Sequence, residues 1–215
     1  MGRYAYANQP LAAPWNLARF AETLLPLIDA DGDRAVEAAS EVIAAFSEQF
    51  EEHWLSGMRA KLGLFTREPG DLELARTWLD AMHRSQCDYT ATFRRLCDAA
   101  NGTGAAPSEG TDLRASFLRP DEYEEWAGRW RARLAREPQT ARERAELMRG
   151  VNPAFIPRNH RIEQVIDAAI EREDFAPFEE MLCVLSTPYE DHDDFAAYAA
   201  PPQPAERVLQ TFCGT

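Results

Sequence analysis

The sequence is most informative in what it lacks. Four cysteines stand in 215 residues, at 87, 97, 183 and 213. None forms a CxxC pair, so no zinc-ligand spacing is present. There is no Gly-x-Gly-x-x-Gly turn, no Gly-rich loop ending in Lys-Ser or Lys-Thr, and no Gly-x-Ser-x-Gly elbow. Those absences leave no phosphate-cradling loop and no serine-hydrolase nucleophile to be found in the sequence. No apolar run approaches the roughly 18 residues that a membrane-spanning helix needs. The N-terminus has no basic region followed by an apolar stretch, so no secretory signal is expected. With no secretion signal, the thiols are expected to be reduced.

Positive charge is also scarce. Lys and Arg number 23 against 36 Asp and Glu, for a net charge of -13. A surface of that sign repels phosphate backbones and anionic lipid, so neither nucleic acid nor a membrane is an expected partner. A basic partner or adjoining domain complements it, and acidity by itself also supports solubility. Hydrophobic residues make up 45% and charged residues 27%. That balance belongs to a chain able to bury a core.

The chain is also without strand alternation or hairpin signals, whereas helical periodicity recurs along it. Residues 1–13 are rich in turn formers. Pro14 then precedes an apolar face of Trp15, Phe20, Leu24 and Ile28, which predicts a helix starting at the proline. The stretch from Arg34 to Leu64 reads as two helices or one bent one, stopped by Gly63. Asp71 and Asp88 each read as a cap opening a helix. Further helices are expected at 121–136, 140–148, 159–171 and 175–185. Residues 101–110 form the clearest linker. The fold class is all-α, divided as 1–100, a linker or loop at 101–111, and 112–215.

Candidate sites are few. Asp29, Asp31 and Asp33 imitate the start of a calcium loop, but Arg34 stands where glycine is needed and Ser40 where glutamate is needed. A helix end, a turn and a cap explain them. The four histidines form no helical metal pair. His192 lies among acidic residues, as expected of a solvated turn. Trp54, Trp78, Trp126 and Trp130 are expected in the core. Asn152, Arg158 and Asn159, flanked by prolines, are expected to be buried polar groups that satisfy irregular backbone. Asn16 is expected at a helix start, bonding loop backbone. No catalytic, cofactor-binding or metal-binding residue can be named.

Two stretches carry a resemblance: residues 2–25, GRYAYANQPLAAPWNLARFAETLL, and residues 148–160, MRGVNPAFIPRNH, with a Pro188-Tyr189 turn and a terminal Phe-Cys-Gly-Thr. MRAKLGL at 58–64 and DYTATFRRL at 88–96 fit in the same order. Together they resemble the C-terminal half of the SelO (selenoprotein O) family. The resemblance implies a protein-kinase-like fold that transfers AMP from ATP to Ser, Thr or Tyr hydroxyls of proteins, with Mg2+ or Mn2+. It implies that this chain is the helical remainder of the large lobe. The nucleotide and metal site would lie upstream, in a missing N-terminal kinase-like portion that becomes the natural partner. The isolated chain is then expected to be inactive.

The same resemblance places Arg3, Tyr4 and Tyr6 where the activation segment leaves the active-site region, shaping the substrate groove or locking that segment to the helices. It makes Cys213 a redox residue. Cys87, Cys97 and Cys183 are instead expected on or beside apolar helical faces. A bacterial member would be cytoplasmic and a eukaryotic one mitochondrial. The competing readings are a free-standing helical interaction module without nucleotide chemistry, and a fragment with no function.

Overall fold

The computed structural model describes residues 8–101 and 112–209. Among them every regular element is helical. The chain divides into two compact units, residues 1–57 and 58–215. Each is described by itself. The linker at 102–111 lies outside the described residues.

In the first unit, α1 (Gln9–Ile28) and α2 (Gly32–Ala44) pack on each other, and α3 (Phe46–Leu62) begins. α1 starts earlier than the sequence suggests, because Pro10 already supplies the fixed φ that suits a first turn. Pro14 and Pro26 therefore lie inside the helix. Each lacks an N–H and so leaves the carbonyl four residues earlier without its helical donor. Asn16 falls in the helix interior, exposed, and not at a helix start. Asp29 and Asp31 behave as local caps, and Asp33 lies in the first turn of α2. Asp29 Oδ1 accepts from the Asp31 amide at 2.8 Å, and the Asp31 carboxylate accepts from Asp33 and Arg34 at the start of α2.

The second unit holds the core. Its helices are α4 (Asp71–Arg84), α5 (Tyr89–Ala100), α6 (Pro120–Leu134), α7 (Ala141–Arg149), α8 (Asn159–Arg172), α9 (Ala176–Ser186) and the single turn α10 (Ala196–Ala199). α4 packs on α6 through Trp78 and Trp126, whose rings stack with centroids 4.1 Å apart. Trp130 continues the stack, 5.4 Å from Trp126. All three indoles are buried, whereas Trp54 is half-buried. A large aromatic brings a polar N–H inside that usually finds a partner, although Trp78 Nε1 has none among the described residues. Trp126 Nε1 donates to the Leu74 carbonyl and Trp130 Nε1 to the Leu62 carbonyl, so the stack also ties α6 to α4 and to the end of α3.

Gly63 ends α3 with φ +74, a conformation that disfavours a Cβ. A Cβ there would also sit 2.7 Å from Met148 Sδ. Thr140 opens α7 with a capping box closed by Glu143. A second small core gathers Ala154, Phe155 and Val184 under Leu185, Phe195 and Tyr198. There the Pro188 carbonyl accepts from both the Ala154 and Phe155 amides, which pins the proline-flanked 152–158 segment to the turn after α9.

Candidate functional site

Arg3, Tyr4, Tyr6 and Cys213 lie outside the described residues. What remains for chemistry is a set of buried charged groups in the second unit and an uncovered apolar face in the first.

The most buried ionic group centres on Arg133 of α6, 4% exposed, between Asp71 and Glu137. Its Nε donates to Asp71 Oδ1 at 2.9 Å, and one terminal nitrogen donates to Glu137 Oε1 at 2.6 Å. Arg59 donates to the second Asp71 oxygen at 2.8 Å, and the Glu68 amide donates to it at 3.0 Å. Glu137 also accepts from the amides of Phe65 and Thr66. Burial pushes the Asp71 carboxyl up, but the donors from Arg133, Glu68 and Arg59 outweigh it and hold it below the ordinary carboxylate value. Glu137 is likewise held down, against its burial, by Thr66, the Phe65 amide and Arg133. Asp71 is thus the first residue of α4 and a buried counter-ion, with Gly70 in the cap position. The expected cap fails because both its oxygens are taken by arginines and a loop amide.

A second group surrounds the MRGVNPAFIPRNH stretch. Arg94 of α5 donates to the carbonyls of Arg149, Asn152 and Tyr189 and pairs with Asp191 at 2.6 Å. Asn152 is fully buried; its amide donates to the Lys61 carbonyl at 3.0 Å, and its Oδ1 accepts from Lys61 Nζ at 3.2 Å. Lys61 also lies 5.4 Å from the Phe93 ring centroid. Burial lowers its pKa, with the neighbouring Cys97 opposing. Arg158 grips Asp88 with two bonds of 2.8 and 2.9 Å and donates to the Ala199 carbonyl. Asp88 still caps α5 by accepting from the Ala91 amide. Asn152 and Arg158 thus hold irregular backbone as expected, whereas Asn159 is exposed at the start of α8.

Apart from the Arg158 Nε, which has no partner among the described residues, these groups are engaged by protein partners, as framework charges are. Among the described residues no three His, Cys, Asp or Glu side chains converge on a common point. His192 packs its ring 6.3 Å from Phe155 and sits 3.2 Å from the Thr187 hydroxyl. The ring lies against the small core yet stays exposed, as expected of a solvated turn.

The cysteines divide in an unforeseen way. Cys97 is buried, and burial pushes its thiol up to about 11 against hydrogen bonding from Asn152 and nearby arginines. Cys87 is half-buried and its thiol is raised, chiefly by burial. Cys183 is exposed, contrary to expectation. Met181 and Val184 set the inward stripe of α9, and position 183 falls on the opposite side of the helix.

The uncovered face belongs to α1, which buries none of its residues. Trp15 is 55% exposed, and Leu11, Phe20 and Leu27 are more so. Large apolar side chains are thus exposed along α1 from Leu11 and Trp15 onward.

Comparison with known proteins follows the same stretches. The family model for protein adenylyltransferase SelO matches residues 1–186. A protein from Rhizobium etli (strain CFN 42) named protein nucleotidyltransferase YdiU is 59% identical over 214 residues, which span all of this chain and 42% of that relative. Proteins of the same name from Rhizobium johnstonii and Bradyrhizobium diazoefficiens are 56% and 55% identical, again across this whole chain. The chain spans 42–43% of the length of these relatives.

Proposed function

The chain belongs to the SelO family, and from that premise we propose that it forms the helical C-terminal part of a protein adenylyltransferase. In this reading the whole protein moves AMP from ATP onto Ser, Thr or Tyr hydroxyls of other proteins. ATP and Mg2+ or Mn2+ are held by a kinase-like portion that precedes this chain. The described residues supply a platform: Arg133 and Arg94 lock the helices, and the Trp78–Trp126–Trp130 stack keeps them rigid. The observation that carries the reading is the 59% identity along the entire chain to a named nucleotidyltransferase of which it covers 42%. The relatives are bacterial, and the proposed compartment is the cytoplasm.

The platform role accounts for the α1 surface. Monomers seldom expose contiguous apolar patches beyond a few hundred square ångströms. A helix that buries nothing in its own unit is suited to be covered by the kinase-like portion.

The test is reconstitution. ATP labelled on its α-phosphate is supplied to this chain alone, to the preceding portion of the Rhizobium etli relative alone, and to the two together. Label on protein is expected only from the pair. Labelling by this chain alone, or ATP binding by it with Kd near or below roughly 100 µM, about 5.5 kcal/mol, overturns the proposal.

A further inference from the structure

One turn of the second unit has buried nitrogens that nothing among the described residues satisfies. Arg158 Nε, His160 Nε2 and Arg161 Nε are all buried without a hydrogen-bond partner. They lie at the N-terminus of α8, a helix of 14 residues. Buried polar groups are normally paired, and an orphaned one costs about 1–3 kcal/mol. The two arginine nitrogens are donors that lack an acceptor, and His160 Nε2 joins them in its Nε2–H tautomer.

The surroundings favour a negatively charged one. The cap residue Arg158 makes no side-chain bond to the helix, and no acidic residue stands in the first turn. The first amides of an α-helix have no acceptor within it, and the helix dipole adds partial positive charge there. A groove opens at this point, lined among others by Pro157, Arg158, His160, Pro202, Glu206 and Arg207. His160 is 4% exposed. Burial, then the adjacent Arg161, lowers its pKa, while Glu206 opposes. At neutral pH the imidazole is therefore suited to a hydrogen bond more than to a charge.

Arg158 is neutralised by Asp88. Arg161 spends its terminal nitrogens on the Ala197 carbonyl and the Gln164 side chain and keeps its charge. Arg207 adds a second positive charge, and among the described residues Glu206 is the only carboxylate lining the groove. Glu206 is itself occupied by the Gln203 amide at 2.8 Å. In a chain of net charge -13, this corner is locally positive.

We propose that the groove at the N-terminus of α8 binds a phosphoryl-type oxyanion, held by the His160 imidazole, the first α8 amides and the Arg207 guanidinium. The site is separate from nucleotide transfer and stands whether or not that reading holds. Its ligand is a free phosphate ion or a phosphorylated residue.

Inorganic phosphate is titrated into the intact chain while the histidine imidazole resonances are followed by NMR. The His160→Phe variant identifies which resonance belongs to His160. A saturable shift of that resonance is expected, with no such shift from chloride at equal ionic strength. Arg207→Ala, at an exposed position that leaves the fold intact, weakens binding about tenfold or more, as expected for a lost charge-assisted bond. Glu206→Gln tightens it. A parallel titration with phosphoserine separates the two sources: tighter binding than inorganic phosphate assigns a phosphorylated chain, and equal or weaker binding assigns the free ion. A His160 resonance unmoved by both probes, an equal response to chloride, or unchanged affinity in Arg207→Ala each overturns the proposal.

Discussion

The two units are built from the same kind of helix and reach opposite ends. In residues 8–57 the only buried residue is Ala35. In the second unit Trp78, Trp126, Trp130, Phe93 and Leu96 are fully enclosed. Both regions show apolar spacing of helical period, so periodicity declares a face without saying what covers it. In the second unit, loops return the chain so that α6 covers α4. In the first, α1 has α2 beside it and still leaves its large side chains outside. Short helices draw most of their stability from packing. The first unit should therefore respond weakly to loss of its apolar groups and the second strongly.

The largest test of that contrast is Arg133→Met. It leaves Asp71 and Glu137 buried with a charge partner gone, and a loss of about 3–5 kcal/mol is expected. Denaturant unfolding followed by the fluorescence of the buried tryptophans reads it. A loss within about 0.5 kcal/mol would mean that the second unit is not held by this pair. Asn152→Ala should cost about 1–3 kcal/mol, because it strands the Lys61 carbonyl and leaves the Lys61 ammonium with the Val151 carbonyl. The same denaturation curve measures it.

Acid sharpens the comparison in another way. Asp71, Asp88 and Glu137 all have folded pKa values below their ordinary ones. Their contribution is present in full above the unfolded values, near pH 4, and is lost as pH falls through the lower folded values. Melting temperature of the second unit should thus fall steeply below about pH 4. A transition unchanged between neutral pH and that range would contradict the assigned ion pairs.

Thiol chemistry gives a finer contrast within the second unit. Brief iodoacetamide treatment followed by mass spectrometry should label Cys183 well before Cys97, since the first is exposed and the second is buried with a raised pKa. Equal rates would indicate that the α5 core opens readily. The smallest effect is reserved for the first unit. Trp15→Ala in the isolated chain should change stability by no more than about 0.5 kcal/mol, as for a surface position. A loss of several kcal/mol would show that α1 is already covered.

Much of this was legible in the residues. The helices, the Gly63 stop, the Asp31 and Asp88 caps and the core positions of three tryptophans all follow from local spacing and turn chemistry. The framework charges were not. Arg133 reaches Asp71 across 62 residues and Arg158 reaches Asp88 across 70. No local pattern announces a pairing at that separation, so Asp71 looks like a cap until Arg133 and Arg59 are placed beside it. Cys183 was misjudged for a smaller reason: one step of helical phase separates the inward stripe of α9 from its outer side. Pro14 misled because a proline marks a helix start only when no earlier proline has opened the helix. The orphaned nitrogens of α8 could not be read at all, since an unmet hydrogen bond is visible only after every partner has been located.

The reach of Arg94 has a consequence for how the second unit comes together in time. Its guanidinium joins backbone and side-chain oxygens 55 to 97 residues further along the chain. Closing loops of that length is entropically slow to be rewarded, so such a clasp belongs to the late stages of folding. An interaction made after the rate-limiting step leaves the folding rate alone and governs how long the finished structure lasts. Arg94→Met should therefore raise the unfolding rate while refolding proceeds at nearly its original pace, and a stopped-flow chevron in which the refolding arm slows instead would place the clasp early. On this account Arg94 acts as a timer on the folded lifetime, releasing the 149–191 region first when the unit begins to open.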